Sequence, residues 1–230
     1  MLIALKFIAA IALLAALHVS VMAALGRLLG IAVRQVSLGF GPALFSFGIF
    51  QLRALPFGGS VIFKDTRSED TTDEAPVEHG HVHDAFDHKP RAVQVLLPLA
   101  GAASLALVAL LLHPGSALAS IGHGFVQIVA GGFSPLGTAQ GLIEGARAFA
   151  TQQGFVPLLG MVAAKLAALN LLPLPAMNGG QALLALLKRD SHEEDPSSLL
   201  QRLTEWGLWL CVALALSWLV AIGFFVVQGL

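Results

Sequence analysis

Two short stretches far apart in the chain carry the side chains best suited to chemistry. The first, HVSVM, begins at His18 inside an apolar segment. In a helical His-Glu-x-x-His pattern, two imidazoles one turn apart bind a metal ion, and the glutamate activates the metal-bound water. Here the glutamate position is Val19 and the second histidine position is Met22. Valine cannot exchange a proton and a thioether is a weak zinc ligand, so we expect no catalytic residue here.

The second stretch is LNLLPLPAMNGGQAL, residues 169–183. Pro173 and Pro175 cannot continue a helix, so a helix that ends there exposes backbone polar groups, which are tolerated at membrane depth where they face a cavity or a ligand. Asn178 follows this break. Its neutral amide is a poor zinc ligand but can hydrogen-bond His18 or a peptide.

The elements that position these residues belong to a membrane protein. Of the 230 residues, 56% are hydrophobic and 12% are charged, and the mean hydropathy is +0.79. This composition predicts an α-helical polytopic membrane protein that folds as one domain. The net charge of −1 gives no bulk attraction to nucleic acid. We therefore expect the lipid bilayer, and no nucleic acid, as a partner.

Apolar runs predict about four transmembrane helices, at residues 1–26, 92–112, 155–187 (broken at the prolines) and 206–227. After the first span, residues 33–63 show β-type runs divided by glycine and proline, which indicates a short re-entrant or interfacial β region. Lysine and arginine are concentrated in 27–91 and 188–205, so the positive-inside rule places both loops in the cytoplasm.

Two further features could bind ions. The polar loop 64–91 is histidine-rich and holds four candidate metal ligands, although adventitious binding in a solvated loop is the simpler interpretation: His79, His81, His83 and His88. Lys165 lies within the predicted third span. Ionisable groups inside a membrane are functional candidates, but a lysine can also extend its ammonium toward the interface.

The two motifs, with GFGP at 39–42 and LPFGG at 55–59 between them, resemble the site-2 protease family of intramembrane zinc metalloproteases. That family carries His-Glu-x-x-His on its first core helix and Asn-x-x-Pro-x-x-x-x-Asp-Gly later in the chain. Asn170, Pro173 and Gly179 match the second motif, and Asn178 replaces its aspartate ligand. About forty residues between the second and third spans cannot hold the PDZ domain that many bacterial relatives insert.

The resemblance implies a bacterial cytoplasmic (inner) membrane protein whose β region holds an unwound substrate helix as an added strand; the alternative is a purely structural interfacial hairpin. Candidate peptide-binding residues are Asn170, Pro173, Gly58 and Gly59. Because three of the four catalytic positions are replaced, the leading hypothesis is an inactive pseudoprotease without a cofactor. It would bind or scaffold a transmembrane protein or peptide, or serve as a subunit of a membrane complex.

Two alternatives stay open at this point. The first is an active intramembrane metalloendopeptidase with a rearranged zinc site that uses His18 and a loop histidine, such as His83 or His88. The second is a metal-handling membrane protein in which the histidine-rich loop collects cations for a path near His18 and Lys165.

Overall fold

A long apolar helix, a β-hairpin and a set of further helices follow one another along the chain. The computed structural model describes residues 2–66, 82–187 and 198–229. The elements are α1 (Leu2–Leu28), β1 (Val33–Phe47), β2 (Phe50–Phe63), two 3-10 turns (Val82–Asp84 and Phe86–His88), α2 (Arg91–Leu112), α3 (Ala117–Phe133), α4 (Thr138–Gln152), α5 (Phe155–Leu171), α6 (Asn178–Leu187) and α7 (Ser198–Gln228).

Three helices of the described chain are long and apolar enough to cross a membrane: α1, α2 and residues Gln201–Gln228 of α7. The expected helical membrane fold with a β region after the first helix is confirmed, but the count of four spans is not. The expected third span, 155–187, is divided into α5 with 17 residues and α6 with 10. Each is shorter than the roughly 20 residues that cross the hydrocarbon.

Small side chains let the helices pack closely. The buried cluster shared by helices α1 to α5 is mostly alanine, and Leu14, Leu105 and Leu158 fill the spaces between the helices. Gly124 of α3 lies so close to Ala168 of α5 that a methyl group at position 124 would come within 2.7 Å of the Ala168 Cβ. This composition is typical of helix contacts in membranes, where packing rather than water exclusion drives association.

The β region is a long antiparallel hairpin of 15 and 14 residues that bends back on itself. Val36 pairs with both Val61 and Phe50, so the first half of β1 lies between two parts of β2. Gly39 and Gly41 have φ of 91° and 85°, which L side chains rarely adopt, and they allow the bend. In the described sheet, 59–63 and 43–47 are thus the two outer segments.

The chain returns to the base of this sheet after the histidine-rich loop. The backbone N–H groups of Ala32 and Phe86 donate to Asp84 and Lys64, and the Lys64 ammonium lies 2.7 Å from the Asp84 carboxylate. Phe86 stacks on Phe63 with ring centroids 5.9 Å apart. Residues 82–89 are therefore attached to the sheet although His83 and His88 are exposed, while 67–81 lie outside the described residues.

Candidate functional site

The substituted motif residues are brought together in one place. Helix α1 presents His18, Val19 and Met22 on its buried face. The prolines after α5 end that helix and redirect the chain, so that α6 begins at Asn178, next to these α1 residues. Any side chain at Gly179 or Gly180 would overlap the carbonyl oxygens of this turn, which explains the paired glycines.

Asn178 connects the two motifs through hydrogen bonds. Its Nδ2 donates to Nε2 of His18 at 3.2 Å and to Sδ of Met22 at 3.6 Å. Because an amide nitrogen can only donate, Nε2 of His18 is the acceptor and the ring proton of the neutral imidazole is on Nδ1. Nδ1 faces the backbone of Gly101 but makes no hydrogen bond of acceptable geometry within the described part of the chain.

All four positions are closed off from solvent. The exposed fractions are 7% for His18, 3% for Val19, 7% for Met22 and 8% for Asn178. The β-sheet forms part of the cover, since a Cβ on Gly59 would lie 2.8 Å from Cγ1 of Val19. The residue at the position of a catalytic base is thus an apolar contact between α1 and the outer segment of β2.

These side chains do not fit a catalytic zinc ion. Zinc sites of hydrolases combine histidine with anionic ligands and keep one position for water, whereas His18, Met22 and Asn178 are neutral and one is a thioether. Across residues 2–66, 82–187 and 198–229, no three histidine, cysteine, aspartate or glutamate side chains are grouped to hold a metal. Val19 also leaves this position without a base for activating water.

The candidate peptide-binding residues occupy different environments. Gly59 is at the site, against Val19, and its neighbour Gly58 has φ of 97° and lies under the ring of Phe40. Asn170 donates through Nδ2 to the Leu166 carbonyl of its own helix. Pro173 lies in the link between α5 and α6. Gly59 thus contacts a motif side chain directly.

The histidine-rich loop is described in part. His79 and His81 lie outside the described residues. His83 is exposed, and Nε2 of His88 lies 3.2 Å from Oγ1 of Thr66 and 3.6 Å from a carboxylate oxygen of Asp87. His88 is therefore part of the attachment of residues 82–89 to the sheet.

Lys165 reaches from α5 to α3, where its ammonium donates to the Ser120 carbonyl at 2.9 Å. It is half-buried, and its stem passes Gly124. Its described hydrogen bond therefore joins two helices and does not involve the motif residues.

Gly101 is a site residue whose role the sequence analysis missed. A Cβ at this position would lie 2.5 Å from Cε1 of His18, so the imidazole occupies the space that a side chain on α2 would need. A glycine in the middle of an apolar span is the available signal, because glycine there weakens the helix unless something packs against its backbone.

The site is thus built from apolar helices, a bent hairpin after the first of them and a helix break that faces a buried histidine. The family model of peptidase family M50 matches residues 6–214, and the chain therefore belongs to this family, the site-2 proteases. The curated proteins include no match to the chain.

Proposed function

We propose that this protein is a non-catalytic member of the site-2 protease family that binds a transmembrane protein or peptide. The observation that carries the proposal is the contact of Asn178 with both His18 and Met22. His18, Met22 and Asn178, which are neutral, buried and joined by these hydrogen bonds, occupy the positions of the metal ligands, and the apolar Val19 occupies that of the base.

The open outer segment of the sheet supports a peptide-binding role. Within the described sheet, 59–63 pairs on one side with 33–38, and its remaining backbone groups could bind an extended peptide as an added strand. Gly59 is in this segment and contacts Val19. A peptide on this edge would lie beside the substituted motif, where it could be held without being cut.

We propose a bacterial inner-membrane location with residues 27–91 and 188–205 in the cytoplasm, from the distribution of lysine and arginine. The exposed apolar side chains near the turn of the hairpin suit contact with the bilayer: Leu44, Phe45, Phe47, Phe50 and Leu52. The histidine-rich loop has no assigned part in this function.

Cleavage is tested with the full chain and a variant in which the motif is rebuilt. The triple variant Val19→Glu/Met22→His/Asn178→Asp supplies a base and the two missing zinc ligands. Each protein is purified in detergent, supplied with zinc and incubated with peptides of single transmembrane helices. We expect stoichiometric zinc on the triple variant and no cleavage by the natural sequence. Zinc-dependent cleavage by the natural sequence would overturn the proposal and favour a rearranged zinc site.

Peptide binding is tested by photo-cross-linking from the two outer segments of the sheet. A photoreactive amino acid is placed at Ile62, which is 49% exposed, or at the control position Leu44, which is 69% exposed. With one transmembrane peptide reconstituted in liposomes, Ile62 should cross-link and Leu44 should not. Equal cross-linking from both positions would indicate contact through the lipid and would remove the support for an edge-bound peptide.

A further inference from the structure

We propose that Arg53 binds the phosphate group of an anionic phospholipid. The residue lies in the part of the hairpin around its turn, residues 43–53, which we call the hairpin end. In the described sheet, 33–38 lies between residues 50–52 and the outer segment 59–63. The site therefore goes beyond the proposed function, because it needs no peptide on 59–63.

The hairpin end has an apolar face and a polar face. Successive side chains of a strand point to opposite sides of the sheet, and paired residues share a side. Four exposed apolar side chains lie on one face in two cross-strand pairs: Phe45 with Leu52 and Phe47 with Phe50. On the opposite face Ser46 pairs with Gln51, and Arg53 follows Gln51 by two positions. Such a surface suits the boundary between acyl chains and headgroups.

The guanidinium group of Arg53 is hydrogen-bonded to neutral acceptors. Its Nη1 donates to the Gly41 carbonyl and its Nη2 to Oε1 of Gln51, each at 3.2 Å. Its Nε is buried and has no acceptor among the described residues. Each terminal nitrogen carries two protons and uses one of them, so one proton on each is available to a ligand. Arginine uses pairs of N–H groups in this way to bind two oxygens of a phosphate.

The charge of Arg53 lacks a counter-charge in the described part of the chain, where none of the ion pairs includes it. A half-buried guanidinium group beside apolar side chains is unfavourable unless an anion pairs with it. Residues 27–64 hold four lysine or arginine residues and no aspartate or glutamate. The hairpin therefore supplies no carboxylate of its own, and the membrane is the source of anions that it contacts.

The surroundings of Arg53 favour a lipid over a free anion. Inorganic phosphate would gain the contacts of the guanidinium group alone. A phospholipid would also cover exposed apolar surface of the hairpin end, such as the rings of Phe45 and Phe47, with its acyl chains. An arginine with an apolar stem among such side chains can direct its charged group to the level of the headgroups.

Binding is measured by native mass spectrometry of the full chain in detergent. Phosphatidylglycerol and phosphatidylcholine with the same acyl chains are titrated separately. Both contain a phosphate, but the choline cation neutralises it in the second lipid. We expect the first bound phosphatidylglycerol to be held about tenfold more tightly than phosphatidylcholine, which is the scale of hydrogen bonds between charged groups. An excess of inorganic phosphate should not displace it.

Matched variants decide whether the lipid is bound at this site. Arg53→Gln should weaken phosphatidylglycerol binding by about tenfold and leave phosphatidylcholine binding unchanged. Arg27→Gln is the control, because it removes the same charge from an exposed position in the last turn of α1, where salt screens it. Arg53→Lys keeps the charge without the paired donors and should bind with intermediate affinity. Monodisperse elution of each variant shows that it has folded.

Three results would overturn this proposal. They are equal binding of the two lipids by the parent protein, equal weakening by Arg27→Gln and Arg53→Gln, and displacement of the lipid by inorganic phosphate, which would indicate a site for free anions. The first comparison uses the parent protein and does not depend on the folding of a variant. None of these results bears on cleavage or on cross-linking from Ile62, so this proposal and the proposed function can fail separately.

Discussion

The Asn178 amide donates a hydrogen bond to Nε2 of His18 across 3.2 Å, although 160 positions separate the two residues in the chain. In the family to which the chain belongs, these positions hold two ligands of one zinc ion. Here a hydrogen bond joins the same two helices. The residues at the two motifs therefore complement each other. A neutral amide can hydrogen-bond a neutral imidazole, and both groups tolerate burial when they are hydrogen-bonded.

Removing this amide should destabilise the protein modestly. In Asn178→Ala, His18 and Met22 lose a shared donor, and we expect a loss of about 1 kcal/mol, the scale of side-chain hydrogen bonds between membrane helices. Thermal unfolding in detergent measures it. Asn170→Ala is the control, because that amide bonds a carbonyl of its own helix and should contribute less. Equal effects of the two substitutions would argue against a joining role for Asn178.

Gly101 should tolerate no side chain. In Gly101→Ala the new methyl group would lie 2.5 Å from the His18 ring, and moving that ring would disturb its contact with Asn178. Overpacking of this kind costs about 1–3 kcal/mol. Gly122→Ala on α3 is the matched change, since nothing lies within 4 Å of that position in the described structure. Unfolding temperatures should fall for the first variant and hold or rise for the second.

The sequence predicted the fold class and the residues of the candidate site better than the elements that lie between the two motifs in the chain. His18, Met22 and Asn178 could be named because motif spacing survives the loss of the motif's chemistry. Helices α3 and α4, by contrast, lie in the stretch of about forty residues between the second and third predicted spans, where the apolar runs predicted no element. Glycine lowers helix propensity, but Gly131 and Gly132 provide space for Trp218 and Leu214 of α7, and this tertiary packing outweighs local preference.

The contact between Val19 and Gly59 could not be predicted from the sequence either. The alternation of short β runs indicated strands. It could not show that the hairpin bends so far that the first half of β1 pairs with β2 on both sides. Register follows from which side chains are buried, and in a sheet packed on a membrane helix both faces can be apolar. The contacts that the bend creates could therefore be found only in the structure.

Residues 82–89 should be released when their anchors are removed. Asp87 accepts from the backbone N–H of Thr66 at 3.1 Å and also from the Thr66 hydroxyl, and its side chain is 8% exposed. Asp87→Ala removes the carboxylate to which both Thr66 groups donate, so we expect faster cleavage by proteases near 82–89. Glu144→Ala, which removes an exposed ion pair with Arg147 on α4, is the control and should not change the cleavage pattern. Identical digestion of both variants would mean that Phe86 and Lys64 are sufficient to hold the segment.

Lys165 is predicted to be dispensable for stability, in contrast to Lys6. Lys165 makes its described hydrogen bond to a single carbonyl, at Ser120, and a lysine within an apolar helix is unfavourable by roughly 2.5–3.5 kcal/mol when it sits at the bilayer centre. Lys165→Met keeps the length of the stem and removes the charge, so the unfolding temperature should hold or rise. Lys6 donates to the carbonyls of Ala150 and Gln153 at the end of α4. Lys6→Met removes these hydrogen bonds to the helix end and should lower the unfolding temperature. A marked loss of stability in Lys165→Met would show that its bond to α3 outweighs the burial of its charge, whereas unchanged stability with reduced peptide cross-linking would give Lys165 a functional role.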